Sequence, residues 1–201
     1  MRILAAILVL AALAAPAGAR SNLSAADQAD LDRVSTYLNS IRSLKGGFVQ
    51  ISPEGDVAQG HVFLVKPGRI RFEYDPPAPM LIVSDGRTVA VQNKTMKTVD
   101  RYPISQTPLD ILLSDDIDLK RNRDIVGVEH QKDALVVKAH SSNFGVTADI
   151  ALMFADPNLE LRQWTVIDNQ GMSTTVALRD TQTGVDVPAS EFILPRPSLF
   201  H

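Results

Sequence analysis

His61, His130, His140 and His201 are the residues of this chain best suited to hold a metal ion or move a proton. Each falls in a separate stretch, and no HxxH or HExxH spacing brings two of them onto one helical turn, the arrangement a zinc site favours. Serine chemistry finds no better footing. There is no GxSxG, and Ser84 belongs to the tight-turn sequence SDG rather than to a strand-to-helix elbow. Asp115, Asp116 and Asp118 crowd three carboxylates, but the run lacks the glycine and glutamate of an EF-hand loop and reads as a charged exit from a helix into water. With no cysteine in the chain, thiol catalysis and CxxC metal or redox sites are excluded. The expectation is a protein without catalytic residues, metal or cofactor.

What remains is apolar surface. In Ile70-Arg71-Phe72-Glu73-Tyr74 the alternation puts Ile70, Phe72 and Tyr74 on one face of a strand and Arg71 and Glu73 on the other. Such a face is either ordinary core or the wall of a binding site, and periodicity does not choose between them.

The elements that would position this face follow from the rest of the chain. Residues 1–19 read as a secretory signal: Arg2 supplies the positive start, Ile3 to Ala15 the apolar core, and Ala17-Gly18-Ala19 the small-residue cleavage site. The apolar run is well short of the roughly 20 residues of a spanning helix. The mature chain, 20–201, is expected to be a single domain. A formal net charge of −3 argues against a nucleic-acid partner. From Ser24 to Leu44 the sequence reads as one helix. Ser24 and Asp27 have the spacing of a capping box, Leu31, Val34, Leu38, Ile41 and Leu44 recur at helical spacing, and Gly46-Gly47 supply the stop.

Beyond Phe48 the period becomes two, and polar turns such as SPEG, KPG, SDG and DNQG recur every 8 to 12 residues. This predicts about eleven antiparallel strands, with a short further one near 190–193. A segment with Thr107 as cap and Pro108 at the first helical position predicts a helix of barely two turns through Leu109, Ile111, Leu112 and Leu113. So large a sheet curls. The expected fold is mainly β with α: an incomplete antiparallel β-barrel whose apolar concave face is lidded by Leu31 and Leu38 and by Leu109, Leu112 and Leu113.

Several stretches, in order and spacing, resemble a known family. They are Gly46, Phe48 and Gln50; Gly60 leading to VKPGRIRFEYDPP; LIVSDGRTV; and YPISQTPLDILL. Together they are similar to the outer-membrane lipoprotein carrier family, the LolA-like periplasmic chaperones. The resemblance implies a monomer in the Gram-negative periplasm, an incomplete barrel with a helical lid. Such a carrier takes triacylated lipoproteins from an inner-membrane ABC transporter, shields their acyl chains and passes them to an outer-membrane receptor. The receptor shares the fold but is anchored through a lipidated cysteine, so the absence of cysteine favours the carrier. A carrier or sensor of another lipid, such as a glycolipid or a free acyl chain, on the same half-barrel is the alternative.

Carried over by position, the resemblance makes Ile70, Phe72 and Tyr74 inward cavity residues, joined by Leu81, Val83, Val89 and Val91 on neighbouring strands. Val62 and Leu64 share a face with Lys66 by alternation, although Phe63 and Val65 are equally apolar. The family places a lid-holding arginine just before the proline of this corner. Here that position is Lys66, which lacks a planar fork, and Arg69 is the alternative latch. With aromatic residues only 5% of the chain, an aliphatic cavity is expected.

Overall fold

Ser24 caps the first helix as its spacing predicts. Its hydroxyl accepts from the Asp27 N–H at 3.1 Å while the Asp27 carboxylate accepts from the Ser24 N–H at 2.9 Å. The resulting helix α1 (Ala25–Ser40) buries Leu31, Val34 and Leu38. The computed structural model describes residues 23–107, 110–143 and 146–196. The expected signal 1–19, the expected lid residue Leu109 with Pro108, and the tail 197–201 lie outside them.

The helix stops earlier than expected. Ile41 is already extended, and Leu44, Gly46 and Gly47 belong to β1 (Ser43–Ile51) rather than to the helix and its cap. The competing force is the ladder: β1 pairs along most of its length with β2 (Val57–Val65) on one side and β11 (Ser173–Thr183) on the other. That pairing satisfies the backbone of both edges of the strand, which one more helical turn would not.

The other strands are β3 (Arg69–Tyr74), β4 (Met80–Asp85), β5 (Thr88–Asn93), β6 (Thr98–Pro103), β7 (Ile125–Gln131), β8 (Ala134–Asn143), β9 (Val146–Ala155) and β10 (Glu160–Asp168). All eleven join one antiparallel sheet in the order β6-β5-β4-β3-β2-β1-β11-β10-β9-β8-β7. First and last strands pair, so the break in the barrel falls in mid-sequence, between edge strands β6 and β7. The connection 104–124 spans it. That connection carries a 3-10 turn (Ile104–Gln106) and α2 (Asp110–Leu113), the expected start of that helix at Pro108 and Leu109 lying outside the described residues. The Thr107 hydroxyl donates to the Ile104 carbonyl at 2.7 Å and closes the 3-10 turn. The stretch expected as a further strand is also a 3-10 turn, Ala189–Phe192.

Residues opposed across antiparallel strands share a face. On that rule Phe48, Gly60 and Tyr74 line up on the concave side, as do Val62 with Phe72, and Leu44 with Leu64 and Ile70. Phe72 next opposes Ile82 and Ile70 opposes Ser84, whose own partners are Val91 and Val89. Val89 and Val91 are therefore concave. Leu81 and Val83 are not: they oppose Glu73 and Arg71 and face the convex side.

Leu81 and Val83 are nonetheless buried, because the chain after β11 returns across that side. Phe192 packs there against β3 and β4, and Arg71 donates to the Glu191 carbonyl at 3.3 Å. A strand covered on both faces has no polar face to reveal its parity. On the concave side Phe48 stands edge-on to Phe72 and Tyr74, with centroids 5.2 and 4.9 Å apart, and Phe72 meets Trp164 at 6.1 Å. This aromatic cluster fills one end of the interior with the protein's own side chains.

Candidate binding cavity

Between the lid and the sheet lies an apolar cavity of about 230 Å³. Its floor is Val62 and Leu64 of β2, Ile70 of β3, Leu44 of β1, Leu178 of β11 and Trp164 of β10; its roof is Leu38, Ile41, Leu112 and Leu113. The two halves of the chain thus contribute to one wall through the β1–β11 pairing.

The expected site residues divide into three sets. Val62, Leu64, Ile70, Leu38, Leu112 and Leu113 line the cavity. Phe72, Tyr74, Val89 and Val91 share its face but lie off its lining, and Leu31 is fully buried in the core under the first half of α1. Leu81 and Val83 are on the other side of the sheet. Sequence reasoning missed Tyr37, Trp164, Leu178, Thr181 and Thr183, all part of the lining. Ile41 and Leu44, read as a continuous helical stripe, reach the cavity from two different elements. The wall is also less purely aliphatic than composition suggested, since the single tryptophan of the chain stands in it.

Lys66 sits at the corner where the lid meets the sheet. Only 5% exposed, it donates from Nζ to the Leu38 carbonyl near the C-terminus of α1 at 2.9 Å, and its backbone N–H donates to the Arg42 carbonyl at 2.9 Å. A cation at the C-terminal end of a helix has favourable polarity. Gly68, two residues on, donates its N–H to the Leu113 carbonyl at 2.9 Å, so the one corner holds both lid helices. At φ +72°, with the Gly86 Cα 2.7 Å from where a Cβ would stand, position 68 takes only glycine. Arg69 plays no part in this contact. Its guanidinium lies over the Phe192 ring at 5.5 Å, on the convex side.

The lid itself is stapled together. Asn39 and Ile117 exchange two hydrogen bonds of 2.9 Å, Ser35 accepts from the Leu119 N–H at 3.0 Å, and Asp32 pairs with Lys120 at 3.0 Å. These positions recur along one face of α1, so helix and following segment form one body. At its N-terminal half α1 is anchored by Asp30, which meets His130 of β7 at 2.8 Å and Arg33 at 2.6 Å. Burial alone would raise the Asp30 carboxyl, but the hydrogen bonds from His130 and Arg33 outweigh it and hold it below the usual range.

Burial pushes the Lys66 ammonium down to about 8; the charge of Arg42 adds to this and that of Asp115 opposes it. A lysine unfolded in water titrates near 10.4. Between these values the unfolded chain binds the proton more tightly, so folding stability rises with pH and the gain is lost as pH falls through about 8. Urea melts from pH 7 to 10 should show this climb, and Lys66→Met should flatten it. An equal slope in both proteins would mean that Lys66 is hydrated in the native state.

His61 and His140 do not reach the cavity. His61 lies 3.9 Å from Asp75, and His140 lies 2.6 Å from Asp149, both on the convex side. Among the described residues no group of three or more histidines and carboxylates could hold a metal ion.

An apolar chamber under a helical roof, in an open meander that joins its first and last strands, has a counterpart among known proteins. The family described as outer membrane lipoprotein carrier protein LolA matches residues 39–194. This chain belongs to that family. An outer-membrane lipoprotein carrier protein from Chromohalobacter salexigens is 26% identical across 96% of this chain and 92% of its own. A protein of the same description from Pseudomonas fluorescens is 27% identical across 88% and 89%. A solved domain from Vibrio parahaemolyticus, described as concerned with outer membrane lipoprotein sorting, superposes with a TM-score of 0.51 at 8% identity, covering 83% of this chain and 96% of its own. At that identity the likeness shows the fold alone. The KPG and SDG corners meet in this structure at Gly68 and Gly86.

Proposed function

We propose that this protein is a periplasmic carrier that receives triacylated lipoproteins from an inner-membrane ABC transporter, shields their acyl chains, and delivers them to an outer-membrane receptor. The observation that carries this reading is the apolar cavity whose roof hangs from the sheet through Lys66 and Gly68. Each buried methylene is worth about 0.8 kcal/mol, so an acylated protein needs such a wall to stay in solution. It must also be able to leave. At about 230 Å³ the closed cavity is smaller than the roughly 300–1,000 Å³ that holds a drug-sized ligand. Three acyl chains would require the lid body to swing away from the Lys66 corner, and the same motion in reverse would expel them.

Signal cleavage after Ala19 and action as a monomer complete the reading. A photo-crosslinkable residue at position 112 should capture acylated lipoproteins in living cells, and one at position 57, on an exposed hairpin, should not. Capture of a glycolipid or a free fatty acid at position 112, identified by mass spectrometry, would replace this reading with that of a different lipid carrier. Capture of nothing acylated would end both.

A further inference from the structure

The apolar wall does not by itself say which way round a bound amphiphile would lie. The shape of β11 does. Val176 and Leu178 face the interior as partners of Gln50 and Phe48, and strict alternation would next turn Asp180 and Gln182 inward. Instead Asp180 takes a left-handed φ of 52°, and the register against β1 slips between Lys45 and Gly47. Past the slip Gln182 opposes Lys45 on the convex side and Thr183 opposes Leu44 on the concave side. The irregularity therefore turns two threonines, rather than an aspartate and a glutamine, into the cavity lining, the kind of re-aiming for which bulges are used.

Neither threonine hydroxyl makes a hydrogen bond among the described residues; Thr181 is half-buried and Thr183 exposed, so both are open to solvent at the cavity edge and free to pair with a ligand. On the lid side of the same cavity the Tyr37 oxygen accepts from the Leu161 N–H at 2.9 Å, and its own proton has no acceptor among the described residues. Three hydroxyls thus border a lining whose Val62, Ile70 and Trp164 are apolar, and whose two charged members are already paired, Lys66 with the Leu38 carbonyl and Glu160 with Arg162. Hydroxyls at the edge of an apolar chamber match a ligand that carries hydrogen-bond acceptors at the root of an apolar tail.

We propose that Tyr37, Thr181 and Thr183 form a collar that receives the carbonyl oxygens of acyl esters or amides and so points the acyl tails toward Val62, Ile70 and Trp164. This rests on the carrier reading and adds to it an orientation and a preference for acyl over alkyl chains. Alkyl-ether amphiphiles would fill the chamber equally well but offer the hydroxyls only the weaker ether oxygen in place of the carbonyl.

The test compares 1-monolauroyl glycerol with 1-O-dodecyl glycerol, which differ in the carbonyl, by titration of the purified protein while following Trp164, the only tryptophan. The native protein should bind the ester about fivefold more tightly for each hydrogen bond formed. Thr181→Val/Thr183→Val, its fold checked by circular dichroism, should lose most of the preference, and Tyr37→Phe should lose the remainder. Equal affinity of the native protein for the two ligands, or a preference that survives all three substitutions, would overturn the collar and leave the carrier reading standing. Failure of the native protein to bind either ligand would overturn the carrier reading and the collar with it.

Discussion

Leu112→Glu should cut the affinity for an acyl ligand at least a hundredfold while the sheet remains folded. Leu112 is 7% exposed and forms part of the cavity roof. Burying a leucine side chain is worth about 1.5–3 kcal/mol, and an unpaired carboxylate in its place carries a desolvation penalty of several kcal/mol. The cheapest response is for α2 to leave the cavity, because what holds it to the sheet corner is the hydrogen bond from Gly68 to Leu113. The strands owe their pairing to other contacts. Circular dichroism should therefore be unchanged in the β region while the Trp164 response to ligand disappears. Leu112→Ala is the control, since it removes volume without charge and should weaken binding far less. If Leu112→Glu bound ligand as the native protein does, α2 would not be the roof of the binding site.

How far the sequence revealed this site depends on local parity. In β3 the alternation of Ile70, Phe72 and Tyr74 against Arg71 and Glu73 is unambiguous, because one face is apolar and the other charged, and the structure follows it. β4 reads MLIVSD, apolar at four successive positions, because Met80 and Ile82 serve the interior while Leu81 and Val83 serve the contact with Phe192. No pattern within that strand distinguishes the two faces. In the C-terminal half the obstacle is irregular register. Slips between Leu161 and Gln163 and beside Asp180 change the parity partway along β10 and β11, which hid Trp164, Thr181 and Thr183. The contact between this corner and α1 was legible as a position but not as a choice between two cations. Lys66 and Arg69 are three residues apart, and only the reversal of the chain at Pro67-Gly68 sends one into the lid and the other to the convex side.

Gly60→Ala should be the most destabilising small substitution in the sheet, costing about 3–4 kcal/mol, beyond the usual range for overpacking by one methyl. A Cβ at this position would stand 2.0 Å from the Glu73 carbonyl oxygen and 2.9 Å from the Tyr74 Cα. Both are backbone atoms of the paired strand, so no side-chain rotation relieves the clash and β2 must move away from β3. Gly60 opposes Phe48 and Tyr74, whose rings close over it at a centroid separation of 4.9 Å. Separating these strands would loosen the aromatic cluster on which Trp164 leans, and with it the cavity floor. For a chain of this size the loss corresponds to a fall in melting temperature of roughly 10 °C. Gly127→Ala gives the contrast. Its Cβ would meet nothing within 4 Å and its φ is not left-handed, so the change should be neutral or stabilise by about 0.4–1 kcal/mol through the unfolded chain. Similar melting temperatures for the two variants would show that β2 and β3 do not approach as closely as the structure places them. A large loss at Gly60 alone would tie the rigidity of the cavity floor to the absence of one methyl group.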